Sequence, residues 1–293
     1  MRAFLNMKLL TAFKLGRISN LPTIWSNVLA GAALAAVGID LVSVFIVLVA
    51  MSLVYTAGMF FNDVFDREYD RQNRPDRPIP AGETSSSSVR LWATAMMVVA
   101  LLLLGFNVSL SAIETWYPVF AGAILCALVL LYDWRHKANP FGPLIMGSCR
   151  GMVYITAALS LFPGFSIQLG IAVLCLTAWV LGLTMVAKGK NVFAGFIVLI
   201  VSVNVIIFSA ANHALDLYVS IILSALSITL VYGFVYLCRD GKYWNPVTLL
   251  IASISLLDAM VIVSMMGTFN GLAMTAVGLF FVTLLFQRFI EGS

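Results

Sequence analysis

Apolar residues fall in ten blocks along the chain, near 21–38, 41–60, 90–110, 117–132, 144–162, 167–187, 192–211, 216–238, 247–267 and 270–287. Most are close to the roughly 20 residues that a helix needs to cross a hydrocarbon core. Hydrocarbon offers the backbone no hydrogen-bond partner, so a lipid-embedded segment must satisfy its own amides as a helix. The two-residue alternation of a membrane β-barrel is absent from these blocks. The pattern predicts an all-α integral membrane protein with nine to ten transmembrane helices, ten preferred, and a single polytopic domain over residues 1–293.

Composition narrows the function classes. Of 293 residues, 61% are hydrophobic and 10% charged, and the mean hydropathy is +1.01. Soluble domains carry about 45–50% apolar and about 25% charged residues, so a water-soluble enzyme, a nucleic-acid-binding domain, a disordered chain and a disulfide scaffold are excluded. Cys126, Cys149, Cys175 and Cys238 lie in or beside apolar runs without a CxxC pair, which fits small buried hydrophobes. Residues 1–20 contain cations but no short apolar core followed by a small-residue cleavage site, so the first span is expected to act as the targeting signal.

Charge placement sets the expected topology. Lys and Arg number four in the N-terminal segment, five in 61–90, three in 133–150, two in 188–190, two in 239–242 and one at the C-terminus, all seventeen in the chain. The alternate turns near 39–41, 111–116, 163–166, 212–216 and 268–270 have none. Ten spans put every cation on one side, which the positive-inside rule makes cytoplasmic. Both termini are expected there, in the plasma (inner) membrane of a prokaryote. The long polar loops share that side, so any chemistry should open toward it.

The second span runs into Asn62-Asp63-Val64-Phe65-Asp66-Arg67-Glu68-Tyr69-Asp70-Arg71, then Asn73-Arg74-Pro75-Asp76-Arg77-Pro78-Ile79-Pro80. If the helix continues past Phe61, Asn62, Asp63, Asp66 and Asp70 share one face. Carboxylates this close repel one another, most strongly where water is scarce. Hard divalent cations take oxygen ligands, and Mg²⁺ is usually held by one or two carboxylates plus substrate phosphates. The face reads as half of a Mg²⁺–diphosphate site. The alternative is a solvated helix end whose acids pair with Arg67, Arg71 and Arg74.

On these residues the sequence resembles the UbiA superfamily of intramembrane prenyltransferases. The resemblance covers nearly the whole chain, from Leu15-Gly16-Arg17-Ile18-Ser19-Asn20-Leu21-Pro22-Thr23 and Asn27 onward, and is most specific over 62–82. The segment 73–80, with Met146-Gly147-Ser148-Cys149-Arg150-Gly151, is similar to the EboC-like and chlorophyll-synthase-like branch. The resemblance implies helices around a lipid-accessible central cavity and prenyl transfer from a prenyl diphosphate to a hydrophobic acceptor. It also places Asn62, Asp63, Asp66 and Asp70 on the magnesium side, the three aspartates as catalytic residues. Arg67 and Arg77 are expected to help bind the diphosphate.

Tyr132-Asp133-Trp134-Arg135-His136-Lys137 resembles the family's Tyr-x-x-x-Lys-Arg element. His136 and Lys137 then bind outgoing diphosphate, or serve as topology anchors. Arg150, deep in a span between glycines, needs a partner, which a diphosphate or an acid of the first motif would supply. The family's second aspartate-rich motif is replaced by Lys188-Gly189-Lys190. Either these lysines neutralise diphosphate directly, or the protein is a non-catalytic binder or translocator of an isoprenoid or prenylated metabolite; the lysines also suit topology anchors. Asp258, inside the ninth block, costs about 2.5–3.5 kcal/mol on insertion scales unless paired, protonated or facing a cavity. Its readings are acceptor contact or base, structural hydrogen-bonder, and proton-coupling acid of a transporter, with a cavity-facing role preferred. Asn27 and Tyr132 join it as candidate acceptor or cavity residues, although Asn27 and Asn204 also suit interhelical glue. Phe60, Phe61, Phe65, Tyr69 and Tyr154 are expected mostly to pack or face lipid.

Overall fold

The computed structural model describes residues 9–35, 38–111, 114–135, 139–189, 191–209, 244–266 and 270–290, with residues 7, 222, 225, 226, 228–230 and 232. A short helix α1 (Leu9–Leu15) leads through a 3-10 turn (Ile18–Asn20) into α2 (Leu21–Leu34). Then come α3 (Leu41–Asn73), α4 (Ser86–Leu110), α5 (Tyr117–Arg135), α6 (Gly142–Leu159), α7 (Ile167–Ala187) and α8 (Val192–Ser209). The last are α9 (Trp244–Ala252), α10 (Ile254–Met266) and α11 (Gly271–Phe286). No strand occurs among the described residues. Five stretches there are long and apolar enough to cross a membrane, 41–73, 86–110, 117–134, 167–187 and 246–266.

Helix ends follow local chemistry. Asp40 caps α3 by accepting from the Val42 and Ser43 amides, and the Ser43 hydroxyl at 2.6 Å is the main cause holding its carboxyl below the ordinary carboxylate range. Ser85, Ser166 and Asn270 cap α4, α7 and α11 in the same way. The predicted ninth block is not one helix. Ser253 interrupts it between α9 and α10, its hydroxyl donating back to Leu249 O at 2.9 Å.

α2 forms the centre, packed against α3, α6, α10 and α11, and twelve of its fourteen residues are buried. Gly31 makes the contact with α6 possible: a Cβ there would lie 2.7 Å from Ala157 Cβ and 2.8 Å from Tyr154 O. Gly147 does the same between α6 and α7, where a Cβ would meet Thr177 O at 2.6 Å. Large apolar side chains such as Phe45, Leu102, Phe120, Leu174 and Phe281 point outward and exposed. That inverts a soluble surface and suits lipid. Cys126 and Cys175 are buried and Cys149 half-buried, all free thiols; Cys238 lies outside the described residues.

Candidate functional site at the mouth of an apolar cavity

α3 is 33 residues long, about 50 Å at 1.5 Å per residue. Its first twenty residues suffice for the membrane core, so the segment from Asn62 projects beyond as a continuous helix. There Asn62, Asp63 and Asp70 are buried and Asp66 is half-buried. The four lie on one face, as the spacing predicts. Arg67, Glu68 and Arg71 lie on the exposed side, so the structure does not bring Arg67 to the acids.

The next segment folds back onto this face. Pro75, Pro78 and Pro80 stiffen residues 74–83, and turns close through Arg77 N to Arg74 O (3.1 Å), Ala81 N to Arg77 O (2.8 Å) and Glu83 N to Pro78 O (2.9 Å). Gly82 takes φ +76° at the exit, a conformation that favours glycine. The result delivers Arg77: its Nη1 donates to Asp63 Oδ1 at 2.8 Å and to Asp70 Oδ2 at 3.4 Å.

A second arginine arrives from the N-terminal segment. Arg17 sits between α1 and the 3-10 turn at φ 42°, ψ 49°. This left-handed conformation costs a non-glycine residue about 1–2 kcal/mol and turns the chain sharply. Its Nη2 donates to Asn62 Oδ1 at 3.3 Å and lies 3.7 Å from Asp63 Oδ1. Asn62 Nδ2 in turn donates to Asp133 Oδ1 at 3.1 Å. Asp133, at the end of α5, is a fourth acid at this mouth.

Behind the mouth lies a cavity of about 370 Å³, of a size usual for ligand sites. Arg17, Tyr132, Asp133 and Lys188 line it near the charged side, and Ile24, Val54, Val153, Val180 and Ile254 among others give it apolar walls. Tyr55 and Arg150 also line it, the guanidinium carbon 5.8 Å from the Tyr55 ring centroid.

Arg150 does not meet the acids of the first motif. Its Nη1 donates to Thr23 Oγ1 and to Asn27 Oδ1, each at 3.0 Å. Asn27 Nδ2 then donates to both oxygens of Asp258, at 3.0 and 2.8 Å, and the Tyr154 hydroxyl donates to Asp258 Oδ1. Asn27, Tyr154 and Asp258 are wholly buried, and neither Asn27 nor Asp258 lines the cavity. The expectation of a cavity-facing Asp258 is therefore corrected: the acid is enclosed by helix packing, with Asn27 and Tyr154 donating to it and the buried Ser26 hydroxyl also against it. Tyr154, expected to pack or face lipid, is a polar partner as well. Asn204 bonds within its own helix, to Ile200 O at 2.8 Å, and to no other helix among the described residues. His136, Lys137 and Lys190 lie outside the described residues.

The acid face was legible from the one-face spacing of Asn62 to Asp70. Arg17 was not, because it read as one of four N-terminal cations; its signal was its place in Leu15-Gly16-Arg17 just before the first span. Asp133 carried a stronger one, an acid directly at the end of an apolar block. For magnesium, the donors are the hard oxygens it prefers. Among the described residues no three His, Cys, Asp or Glu gather closely enough to hold a metal alone. The set fits an ion held by one or two carboxylates and completed by ligand phosphates.

Comparison with known proteins agrees with this architecture. The UbiA prenyltransferase family matches residues 24–264. The chain is 29% identical over 136 residues to the digeranylgeranylglyceryl phosphate synthase of Methanobrevibacter smithii, covering 46% of this chain and 47% of that protein. It is 34% identical over 146 residues to that of Methanoregula boonei, covering 47% of each. The matched part thus spans about half the length of these curated relatives. Among solved structures, the apo UbiA homolog from Aeropyrum pernix K1 superposes with a TM-score of 0.67 at 17% identity, over 83% of this chain and 98% of that one. The UbiA homolog from Archaeoglobus fulgidus bound to DMAPP and Mg²⁺ gives a TM-score of 0.59 at 15% identity, over 87% and 99%. At such identities the structures speak to the fold. With most of its length matched by the family, this chain is a member of the UbiA prenyltransferase family.

Proposed function

We propose that the protein transfers a prenyl group from a prenyl diphosphate to a hydrophobic acceptor inside the membrane, and that it requires Mg²⁺. The observation that carries this reading is the face of Asn62, Asp63, Asp66 and Asp70, set with Arg17 and Arg77 at the mouth of an apolar cavity. A prenyl diphosphate has the matching shape, a polyanion joined to an apolar chain.

The diphosphate group sits at the mouth, where Arg17, Arg77 and Lys188 donate to its oxygens. Asp63, Asp66 and Asp70 would hold Mg²⁺, whose charge offsets that of the leaving diphosphate. Arg77, now bound to Asp63 and Asp70, is the cation those acids share before substrate arrives. The apolar walls direct the prenyl chain inward and keep water from the reacting carbon. When the allylic C–O bond breaks, its electron pair leaves with the diphosphate. Tyr55 and Tyr132 line the cavity, and an aromatic ring turned toward the reacting carbon would stabilise the allylic cation. The acceptor then forms the new bond to the allylic carbon and gives up a proton.

Supporting context comes from relatives named digeranylgeranylglyceryl phosphate synthase and from an Archaeoglobus homolog bound to DMAPP and Mg²⁺. The charged side is read as cytoplasmic because Lys and Arg concentrate there.

The test is diphosphate release by purified full-length protein reconstituted with lipids extracted from its source membranes. Geranyl, farnesyl and geranylgeranyl diphosphate serve as donors. Release is expected only with Mg²⁺, and is expected to vanish in the Asp63→Ala, Asp66→Ala double variant. Release unchanged in that variant removes the mechanism. Tight Mg²⁺-dependent binding of all three donors with no release favours the non-catalytic binder or translocator instead.

A further inference from the structure

Arg150 stands apart from the acid face although it lines the same cavity. Tyr55 separates the two places: its hydroxyl donates to Arg17 O at 3.3 Å, while its ring lies 5.8 Å from the Arg150 guanidinium carbon. The cavity therefore has two cationic stations, one at the mouth and one a tyrosine's length deeper.

The deeper station is built. A cation among apolar walls is costly unless it is paired. The pairing here is indirect, since Asn27 stands between Arg150 and Asp258. The order of that chain is forced. Asp258 presents only oxygens to Asn27, so the amide nitrogen must face the acid and the amide oxygen must face the guanidinium. Tyr154 holds the acid from the other side. Thr23 gives Arg150 its second acceptor. The guanidinium is thus fixed in place, with its counter-charge one amide away.

Both of its hydrogen bonds leave from Nη1. A guanidinium has five donor hydrogens in a planar fork. Among the described residues, Nε and Nη2 donate to none, and Arg150 borders the cavity. A free edge of this kind matches the two oxygens of a carboxylate or phosphate. The cavity that it borders is also lined by Ile24, Met51, Val54, Val153 and Val180.

We propose that Arg150 anchors a second subsite in this cavity, which binds the carboxylate or phosphate head of an amphiphilic acceptor, with Asn27 and Asp258 as its positioning residues. This rests on the prenyl-transfer reading only in naming the ligand an acceptor. The oxyanion sits at Arg150 and the apolar body lies along the walls, within reach of a prenyl chain entering from the mouth.

The experiment measures binding to full-length protein in lipid nanodiscs, without Mg²⁺ and against empty nanodiscs. Octyl phosphate, octanoate and octanol are the probes, so the arms separate phosphate from carboxylate and both from a neutral head. Wild type is expected to bind at least one of the anionic probes well above octanol. Arg150→Gln should weaken the preferred anion by about tenfold or more, equivalent to about 1.4 kcal/mol, and leave octanol unchanged. Asp258→Asn should weaken it less, and Arg150→Lys should restore it in part. Geranyl diphosphate binding with Mg²⁺ should stay within about twofold in Arg150→Gln, which also shows that the variant is folded. Equal anion binding in wild type and Arg150→Gln overturns the proposal. So does a parallel loss of geranyl diphosphate binding, which would make Arg150 part of the diphosphate site. Absence of diphosphate release in the separate turnover assay overturns the prenyl-transfer reading and not this subsite.

Discussion

Arg77 lets Asp63 and Asp70 stay close to each other in a nearly buried setting, one guanidinium nitrogen serving both. Arg77→Ala should leave two nearby carboxylates without the counter-charge they share, Arg17 remaining only beside Asp63. Leaving buried polar groups unmatched costs about 1–3 kcal/mol, more when they are charged. The expected result is a lower melting temperature, and a larger rise on adding Mg²⁺ than wild type shows. Equal Mg²⁺ responses would mean the acids are not a cation site. In the deeper network, Tyr154→Phe should cost about 1–3 kcal/mol in thermal unfolding, since the buried carboxyl of Asp258 loses one of its hydrogen-bond donors. Tyr55→Phe should cost less, because its hydroxyl bond to Arg17 O is long and only partly buried. Asp258 was conspicuous in the sequence as an acid in an apolar block. Its partners were not, because Tyr154 and Asn27 lie 104 and 231 positions away.

Single helices carry the site because of their lengths and close approaches. α3 continues unbroken through Asp63, Asp66 and Asp70, which keeps the acids on one face at helical spacing. Contact between α2 and α6 needs a bare backbone at Gly31, so Gly31→Ala should lower stability by about 1–3 kcal/mol, read from detergent-solubilised thermal denaturation. The displaced neighbours include Tyr154, so oxyanion binding at Arg150 should weaken as well. The apolar blocks from 21 to 211 foretold α2 to α8 to within a few residues, except that α3 runs on through Asn73, well past the end of its block near 60. The interruption at Ser253 and the short α1 were not foretold. A serine inside an apolar run changes hydropathy little, and seven residues are too few to make a periodic signal.

Across the whole molecule, six of the helices, α2, α3, α5, α6, α7 and α9, meet around one cavity, with α10 adding Ile254. If that space receives the prenyl chain, filling it should block binding without unfolding the bundle. Val180→Trp should reduce Mg²⁺-dependent geranylgeranyl diphosphate binding by about tenfold or more while circular dichroism stays unchanged. Undiminished affinity in a folded variant would place the chain elsewhere. The many outward-facing aromatic and aliphatic side chains leave the cavity as the place where polar chemistry is sheltered from both lipid and water.

The amino-acid sequence alone determined that the chain is helical and belongs in a membrane, because apolar blocks of this length leave the backbone only its own hydrogen bonds. It also determined which face of α3 bears the acids, since a helix's period relates residues only a turn or two apart. Tertiary structure decided everything that depends on distant segments meeting. It brought Arg17 and Arg77 to the acids and enclosed Asp258. It also aimed Arg150 at Asn27 instead of at the first motif. Helix periodicity carries no information about which helices become neighbours; close packing and the need to satisfy every buried charge do.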